Sequence, residues 1–316
     1  MKYIETFREG EKVGDIYFCK SKSSAVTKNG KAYDSVLLQD KTGTIDAKIW
    51  DPHSLGIDDF DAMDYVDVVG DVISFNGTLQ LNVKRVRKVA EGEYNPKDYL
   101  PVSGKDIDQM YGELLDFVKS VENVYCRQLL EQFFVKNEQF AKTFKAHSAA
   151  KSVHHSFMGG LLEHTLSVTK LCDYYAKSYS VINRDLLLTV AMFHDVGKIK
   201  EIAPFPVNDY TDDGNLLGHI VIGSERIGNA AANIPGFPPK LLAQLKHCIL
   251  AHHGELEYGS PKKPAMVEAV ALNLADNTDA KLETMKEILM GTQTADGSEW
   301  LGYNRLFESN IRRTVL

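Results

Sequence analysis

Eight of the ten histidines fall between His154 and His253, in a stretch that also carries the adjacent pair His194-Asp195. Two ligand-type side chains in succession at the end of an apolar run constrain the fold, because buried charge is costly unless paired or coordinated. GGLLEHT places His164 on a helix read from Leu161 to about Tyr179, and FHDVGK places His194 and Asp195 at the end of the next, followed by Gly197 and Lys198. His219 lies in a helix starting near Asn215. His252 and His253 close a helix that runs from about Pro239 and is stopped by Gly254, the residue favoured just past a helix C-terminus. Asp276 sits inside AMVEAVALNLADNTDAK, with Asp279 one turn on, read as an outer acid rather than a ligand. Several helices thus aim one or two ligands each at a shared interior point.

Imidazole and carboxylate without thiolate suit Mn²⁺, Fe²⁺, Co²⁺, Zn²⁺ or Mg²⁺ and do not single one out. His164, His194, Asp195 and Asp276 form one expected site. His219 with His252 or His253 forms a second, bridged by Asp195. Two ions about 3.5 to 4 Å apart would clamp the attacking and leaving oxygens of a phosphodiester. Lys198, one turn beyond His194, can aim its ammonium at a phosphate oxygen, so Asp195 and Lys198 are the catalytic candidates. His154 and His155 precede the first ligand helix and are either substrate-pocket residues or loop. His147 and His247 read as satisfied core or surface.

Residues 1–89 have a different period. Apolar and polar residues alternate in five segments, Asp15 to Val26, Ala32 to Gln39, Thr44 to Trp50, Tyr65 to Phe75 and Thr78 to Val89. Turns are read at Lys28-Asn29-Gly30, at Asp40 to Gly43 and at Asn76-Gly77, the last a strong hairpin signal. Five strands with an irregular excursion from Pro52 to Met63 are the layout of an OB-fold barrel, which binds oligonucleotides on one face. Tyr17, Phe18, Tyr33, Lys48, Trp50, Phe75, Lys84, Arg85 and Arg87 are the candidate contacts, since single strands are held by aromatic stacking and a basic groove. Strand alternation sends about half of such aromatics inward, and KRVRK (84–88) reads equally as a solvated edge.

The expected architecture is an all-β OB-fold barrel followed by an all-α helical bundle. Residues 90–104, with two prolines and two glycines, read as an extended linker. Residues 105–148 read as two bridging amphipathic helices, 149–289 as the metal-binding domain and 290–316 as a tail. The tail carries Trp300, Tyr303, Phe307, Arg312 and Arg313, which pack on their own domain or stack on a substrate end.

A net charge of −7 confines any nucleic-acid surface to a local patch. The four cysteines are scattered with no CxxC pair, and neither a signal peptide nor a membrane span is evident, so a cytoplasmic protein is expected.

GGLLEHT, FHDVGK, GHI, AHHG and LADNTDAK resemble the signature of the HD superfamily of metal-dependent phosphohydrolases. With an OB domain in front, the whole chain resembles the YhaM-type 3′-5′ exoribonucleases. That resemblance implies release of nucleoside 5′-monophosphates from the 3′ end of single-stranded RNA, with single-stranded DNA a further substrate and Mn²⁺ or a similar ion as cofactor. It implies His164, His194, Asp195 and Asp276 as the HD ligands, and His219 with His252 or His253 as the extra histidines of two-metal members. Two alternatives stay open: an HD hydrolase of small nucleotides with a regulatory OB domain, and a non-catalytic nucleic-acid-binding protein. A homo-oligomer is compatible with the sequence.

Overall fold

The structure, a computed structural model, describes residues 1–27, 29–151, 155–291 and 298–315. Lys28 and His154 lie outside the described residues. The chain divides into two compact units, Met1–Val102 with Phe205–Val207, and Ser103–Pro204 with Asn208–Leu316.

The first unit is a closed barrel of β1 (Lys12–Val26), β2 (Ala32–Asp40), β3 (Gly43–Ile49), β4 (Tyr65–Phe75) and β5 (Thr78–Lys88), in the order β1-β2-β3-β5-β4. This is the OB-fold order; the β3–β5 pair is parallel and the others antiparallel. Closure removes free sheet edges. Asn76 (φ 52°) and Gly77 (φ 79°) both adopt left-handed backbone, as the tight β4–β5 turn requires. Alternation sorts β2 and β3 cleanly. Val36, Leu38, Ile45, Ala47 and Ile49 point inward and are buried, each large one contributing about 1.5–3 kcal/mol. Tyr33, Ser35, Asp46, Lys48 and Trp50 face outward.

On β1 the alternation fails, and two expected contacts move to the core. Tyr17 is buried inside the barrel with its hydroxyl donating to the Lys2 carbonyl (2.7 Å). Phe18 is also buried, against Tyr65, because residues 94–100 cover the outside of the barrel there. Tyr94 stacks on Tyr65 (3.6 Å), and Gln39 Nε2 donates to the Tyr99 carbonyl (3.1 Å). This part of the expected extended linker is therefore folded onto the barrel.

The second unit is helical: α1 (Ile107–Ser120), α2 (Val124–Phe134), α3 (Glu138–Ala146), α4 (Gly160–Ser178), α5 (Arg184–Phe193), α6 (Lys198–Glu201), α7 (Asp212–Leu216), α8 (Gly218–Ala232), α9 (Pro239–Leu250) and α10 (Val267–Gly291). Three bridging helices replace the two expected. Asn137 caps α3 by accepting from the Phe140 amide (2.9 Å), as Asn123 caps α2 and Asp106 caps α1. Leu114, Leu129, Phe134, Phe144, Leu162, Leu187 and Phe193 belong to one continuous core beneath the histidine-bearing ends of α4 and α5. The tail contains a hairpin, β6 (Trp300–Asn304) and β7 (Ser309–Arg312), and Arg313 donates to the Leu289 carbonyl (3.0 Å). Among the described residues, no helix is long and apolar enough to cross a membrane.

Candidate metal centre

His164 projects from the second turn of α4, and His194 and Asp195 follow the last turn of α5. His219 opens α8, His252 and His253 lie in the turn after α9, and Asp276 projects from α10. The backbone of α8 reaches the HD turn because residue 197 is glycine: a β-carbon there would sit 2.0 Å from the His219 carbonyl oxygen. Asn273 on α10 secures the other side by donating to the His252 carbonyl (2.8 Å).

All five histidines have the same tautomer imposed on them. Nδ1 of His194 and of His252 donates to the carbonyls of Ala191 (2.8 Å) and Ile249 (2.7 Å), and Nδ1 of His253 donates to that of Tyr258 (2.8 Å). Nδ1 of His164 donates to Asp279 (2.7 Å) and Nδ1 of His219 to Glu201 (2.8 Å). A partner on Nδ1–H leaves the Nε2 lone pair for a metal.

The Nε2 atoms converge around Asp195. His164 Nε2 lies 3.1 Å from His194 Nε2, 3.2 Å from Asp276 Oδ1 and 3.4 Å from Asp195 Oδ2. These are the edges of a coordination polyhedron, since ligands about 2.1 Å from one ion stand roughly 3 Å apart at right angles. On the other side, Asp195 Oδ1 lies 3.5 Å from His219 Nε2 and 3.9 Å from His252 Nε2. His219, His252 and His253 bring their ligand atoms within 4.8 Å of one another. Asp195 Oδ1, His219 Nε2 and His252 Nε2 are buried without a hydrogen-bond partner. Three orphaned polar atoms facing each other are costly in an empty protein interior. A divalent ion would satisfy them, and the donors form two candidate ligand sets that have Asp195 in common.

Charge follows the same pattern. Burial opposes ionisation of Asp195, but the charges of Lys198 and His194 outweigh it and hold the carboxyl well below its usual range. Burial and the neighbouring His253 hold His252 neutral, the form a metal requires. Burial also works against a charged His164, yet Asp276 and Asp279 outweigh it and push its pKa up to about 10 in the metal-free chain. That proton occupies a candidate ligand position. An ion must displace it, so metal affinity is expected to rise with pH, about tenfold per unit through neutrality, flattening near pH 10. Calorimetric Mn²⁺ titrations at several pH values check this; a pH-independent affinity contradicts it.

A cavity of about 510 Å³ opens over the centre, lined by His164, Asp195, His219, His253 and Asp276 together with Lys198, Tyr210, Tyr258 and Asn277. Lys198 Nζ lies 2.7 Å from Asp195 Oδ2. His155, expected in the substrate pocket, is instead buried behind the centre, where Nε2 meets Asp279 (2.9 Å).

The HD domain family matches residues 161–281, which contain every residue of the cluster. The 3′-5′ exoribonuclease YhaM of Bacillus subtilis (strain 168) is 34% identical over 299 residues, covering 94% of this chain and 94% of the relative. The chain belongs to the YhaM exoribonuclease family. The YhaM of Geobacillus sp. (strain WCH70) is 32% identical over 318 residues, covering 100% of this chain and 97% of that one. Among solved structures, the second OB-fold domain of replication protein A from Methanococcus maripaludis covers 29% of the chain at 18% identity, with a TM-score of 0.23 and 98% of that domain matched.

Sequence reasoning about this YhaM-family chain missed one acid and two rings. Glu201 accepts from both the backbone N–H (2.9 Å) and Nδ1 of His219, so it caps α8 and orients the ligand together. Its spacing from Lys198 carried no signal. Tyr210 and Tyr258 stand at the cavity, and nothing local marks them. Of the residues proposed for nucleic-acid contact, Tyr33 and Trp50 form a ring pair (5.2 Å) on the outer β2–β3 face, beside Lys48, which donates to Ser35 (2.6 Å). Phe75 is exposed at the end of β4. KRVRK is held differently: Lys84 pairs with Asp71, Arg87 with Asp67 and Glu93, and Lys88 with Asp64, while Arg85 packs beside Gly56. The acids of β4 neutralise much of this run.

Proposed function

We infer that this chain is a metal-dependent 3′-5′ exoribonuclease that shortens single-stranded RNA to nucleoside 5′-monophosphates, with single-stranded DNA a further substrate. The observation that carries the reading is Asp195, whose two carboxylate oxygens face two histidine clusters with orphaned ligand atoms, in a chain of the YhaM family. His164, His194, Asp195 and Asp276 would hold one ion, and His219, His252, His253 and Asp195 the other. Mn²⁺ is the ion we favour on the resemblance to the YhaM-type enzymes, and the mixed imidazole and carboxylate ligands suit it without singling it out. When bound, such ions polarise a phosphoryl oxygen and activate water near neutral pH.

The protein's own groups then have defined tasks. Asp195 spans the two clusters and fixes their spacing. Lys198 holds Asp195 and presents its ammonium to the cavity, where a phosphodiester gathers negative charge. The barrel grips the strand through the Tyr33–Trp50 face, so the chain end is retained between cuts. The four cysteines are free and buried, which supports a reducing, cytoplasmic setting.

Tyr258 is 68% exposed and Tyr210 is 48% exposed, large rings left in solvent beside the catalytic cavity. They suit stacking on the terminal bases, worth about 1–3 kcal/mol per base. Tyr258→Ala is expected to raise KM for RNA by about 5-fold to 100-fold and to leave kcat within a factor of about three. A selective loss of kcat in steady-state kinetics contradicts that role.

The reading itself is tested with 5′-labelled single-stranded RNA and Mn²⁺. A ladder shortening by single nucleotides from the 3′ end, abolished by chelator, is expected. Intact RNA beside turnover of free nucleotides points to a small-nucleotide hydrolase instead.

A further inference from the structure

Asp279 accepts two hydrogen bonds on one oxygen: Oδ2 lies 2.7 Å from His164 Nδ1 and 2.9 Å from His155 Nε2. His155, His164 and Asp279 are all buried. His155, His164 and Asp279 also lie close enough to resemble a third ligand cluster. The shared oxygen argues against an ion there, because each ring nitrogen facing the carboxylate uses its proton to donate to it. His164 has its other nitrogen, Nε2, at the expected metal position, 3.1 Å from His194 Nε2. The three side chains form a row: His155, Asp279, His164, then the centre.

The fold goes to some length to put His155 there. Its backbone is left-handed (φ 59°), a conformation uncommon for a residue with a side chain. Its carbonyl accepts from the Ala149 amide (3.0 Å) and occupies the space where a β-carbon on Gly160 would stand 2.0 Å away. Gly160 is the second glycine of GGLLEHT, so that motif makes room for His155 as well as starting the helix of His164. The Glu287 carboxylate, two turns beyond Asp279 on α10, accepts from the His155 backbone. A residue needed only to fill space does not require a donor aimed at a buried carboxylate.

We propose that His155 is a positioning residue for the metal centre, holding Asp279 so that His164 keeps Nε2 aimed at the ion. A carboxylate with one donor can rotate about its Cβ–Cγ bond and take the imidazole with it. A second donor on the same oxygen fixes that rotation. Partners one layer behind the ligands typically change metal affinity or activity by 10–100-fold. The inference rests on the metal-binding reading, but not on the substrate.

The test is calorimetric titration of the full chain with Mn²⁺ alone, using His155→Leu, Asp279→Asn and the double variant, with His155→Gln as the conservative replacement. His155→Leu is expected to weaken one Mn²⁺ site about tenfold, and Asp279→Asn at least as much. The double variant should bind like Asp279→Asn, because His155 acts through that carboxylate. His155→Gln, which keeps an N–H donor, should recover part of the loss. If His155→Leu does not fold, by circular dichroism, His155→Asn replaces it: asparagine tolerates left-handed backbone but is too short to reach Asp279. Unchanged affinity in the donor-less variant, or losses that multiply in the double variant, overturns the proposal. Wild-type protein that binds no Mn²⁺ overturns the metal reading and this inference together; wild-type binding with unchanged variants overturns this inference alone.

Discussion

Asp195→Asn is expected to lower the rate of RNA shortening by on the order of 10³-fold or more while leaving a folded protein. Stabilisation of transition-state charge by a metal centre is worth several kcal/mol, and each 1.4 kcal/mol or so is a factor of ten. Asp195 is the residue whose loss reaches both histidine clusters, through Oδ2 to His164 and His194 and through Oδ1 to His219 and His252. Asparagine is the informative replacement. It retains an acceptor for Lys198, whereas alanine would strand a buried ammonium at a cost of about 3–5 kcal/mol and confuse catalysis with folding. Single-turnover rates with saturating Mn²⁺, alongside melting curves, separate the two effects. An Asp195→Asn protein within tenfold of wild type contradicts the shared-carboxylate centre.

Trp50→Ala combined with Tyr33→Ala is the second large effect, and it should depend on RNA length. These rings form the aromatic step on the outer β2–β3 face, and Trp50 is 49% exposed. Losing one or two stacked bases at about 1–3 kcal/mol each raises KM for a long single strand by roughly 5-fold to 10⁴-fold. If the barrel holds the strand upstream of the cut, a dinucleotide, which has no upstream strand, should be cut as before. Competition between a 20-mer and a dinucleotide measures the difference directly. Equal losses on both substrates would remove the barrel from substrate binding and leave it a structural part.

The two architectures were legible because each has a strong local period. Alternation marked the strands of the barrel to within three residues at each end, and Asn76-Gly77 marked the hairpin between β4 and β5. The histidine and aspartate positions announced a centre because they make poor core residues in any other arrangement. What escaped was set by residues distant in sequence. Tyr17 and Phe18 looked like alternating neighbours, but Tyr65, Tyr94 and Tyr99 shield the outer face of β1, so both sides of the strand are dry. KRVRK looked like a basic patch until its pairing with β4 set Asp64, Asp67 and Asp71 beside it. The third bridging helix hid because Asn137 reads as a turn residue as readily as a cap. Glu201 carries no signature of its own, and the spacing that marked Asp279 as an outer acid did not say which ring it holds. Their roles exist only through the rings they hold, His164 one turn into α4 and His219 at the head of α8.

Anomalous diffraction from crystals soaked in Mn²⁺ tests the centre most directly. Two peaks are predicted, one among His164, His194, Asp195 and Asp276, the other among His219, His252, His253 and Asp195, each within about 2.4 Å of its ligand atoms. A structure with Mn²⁺ bound elsewhere, and none beside Asp195, would contradict the account.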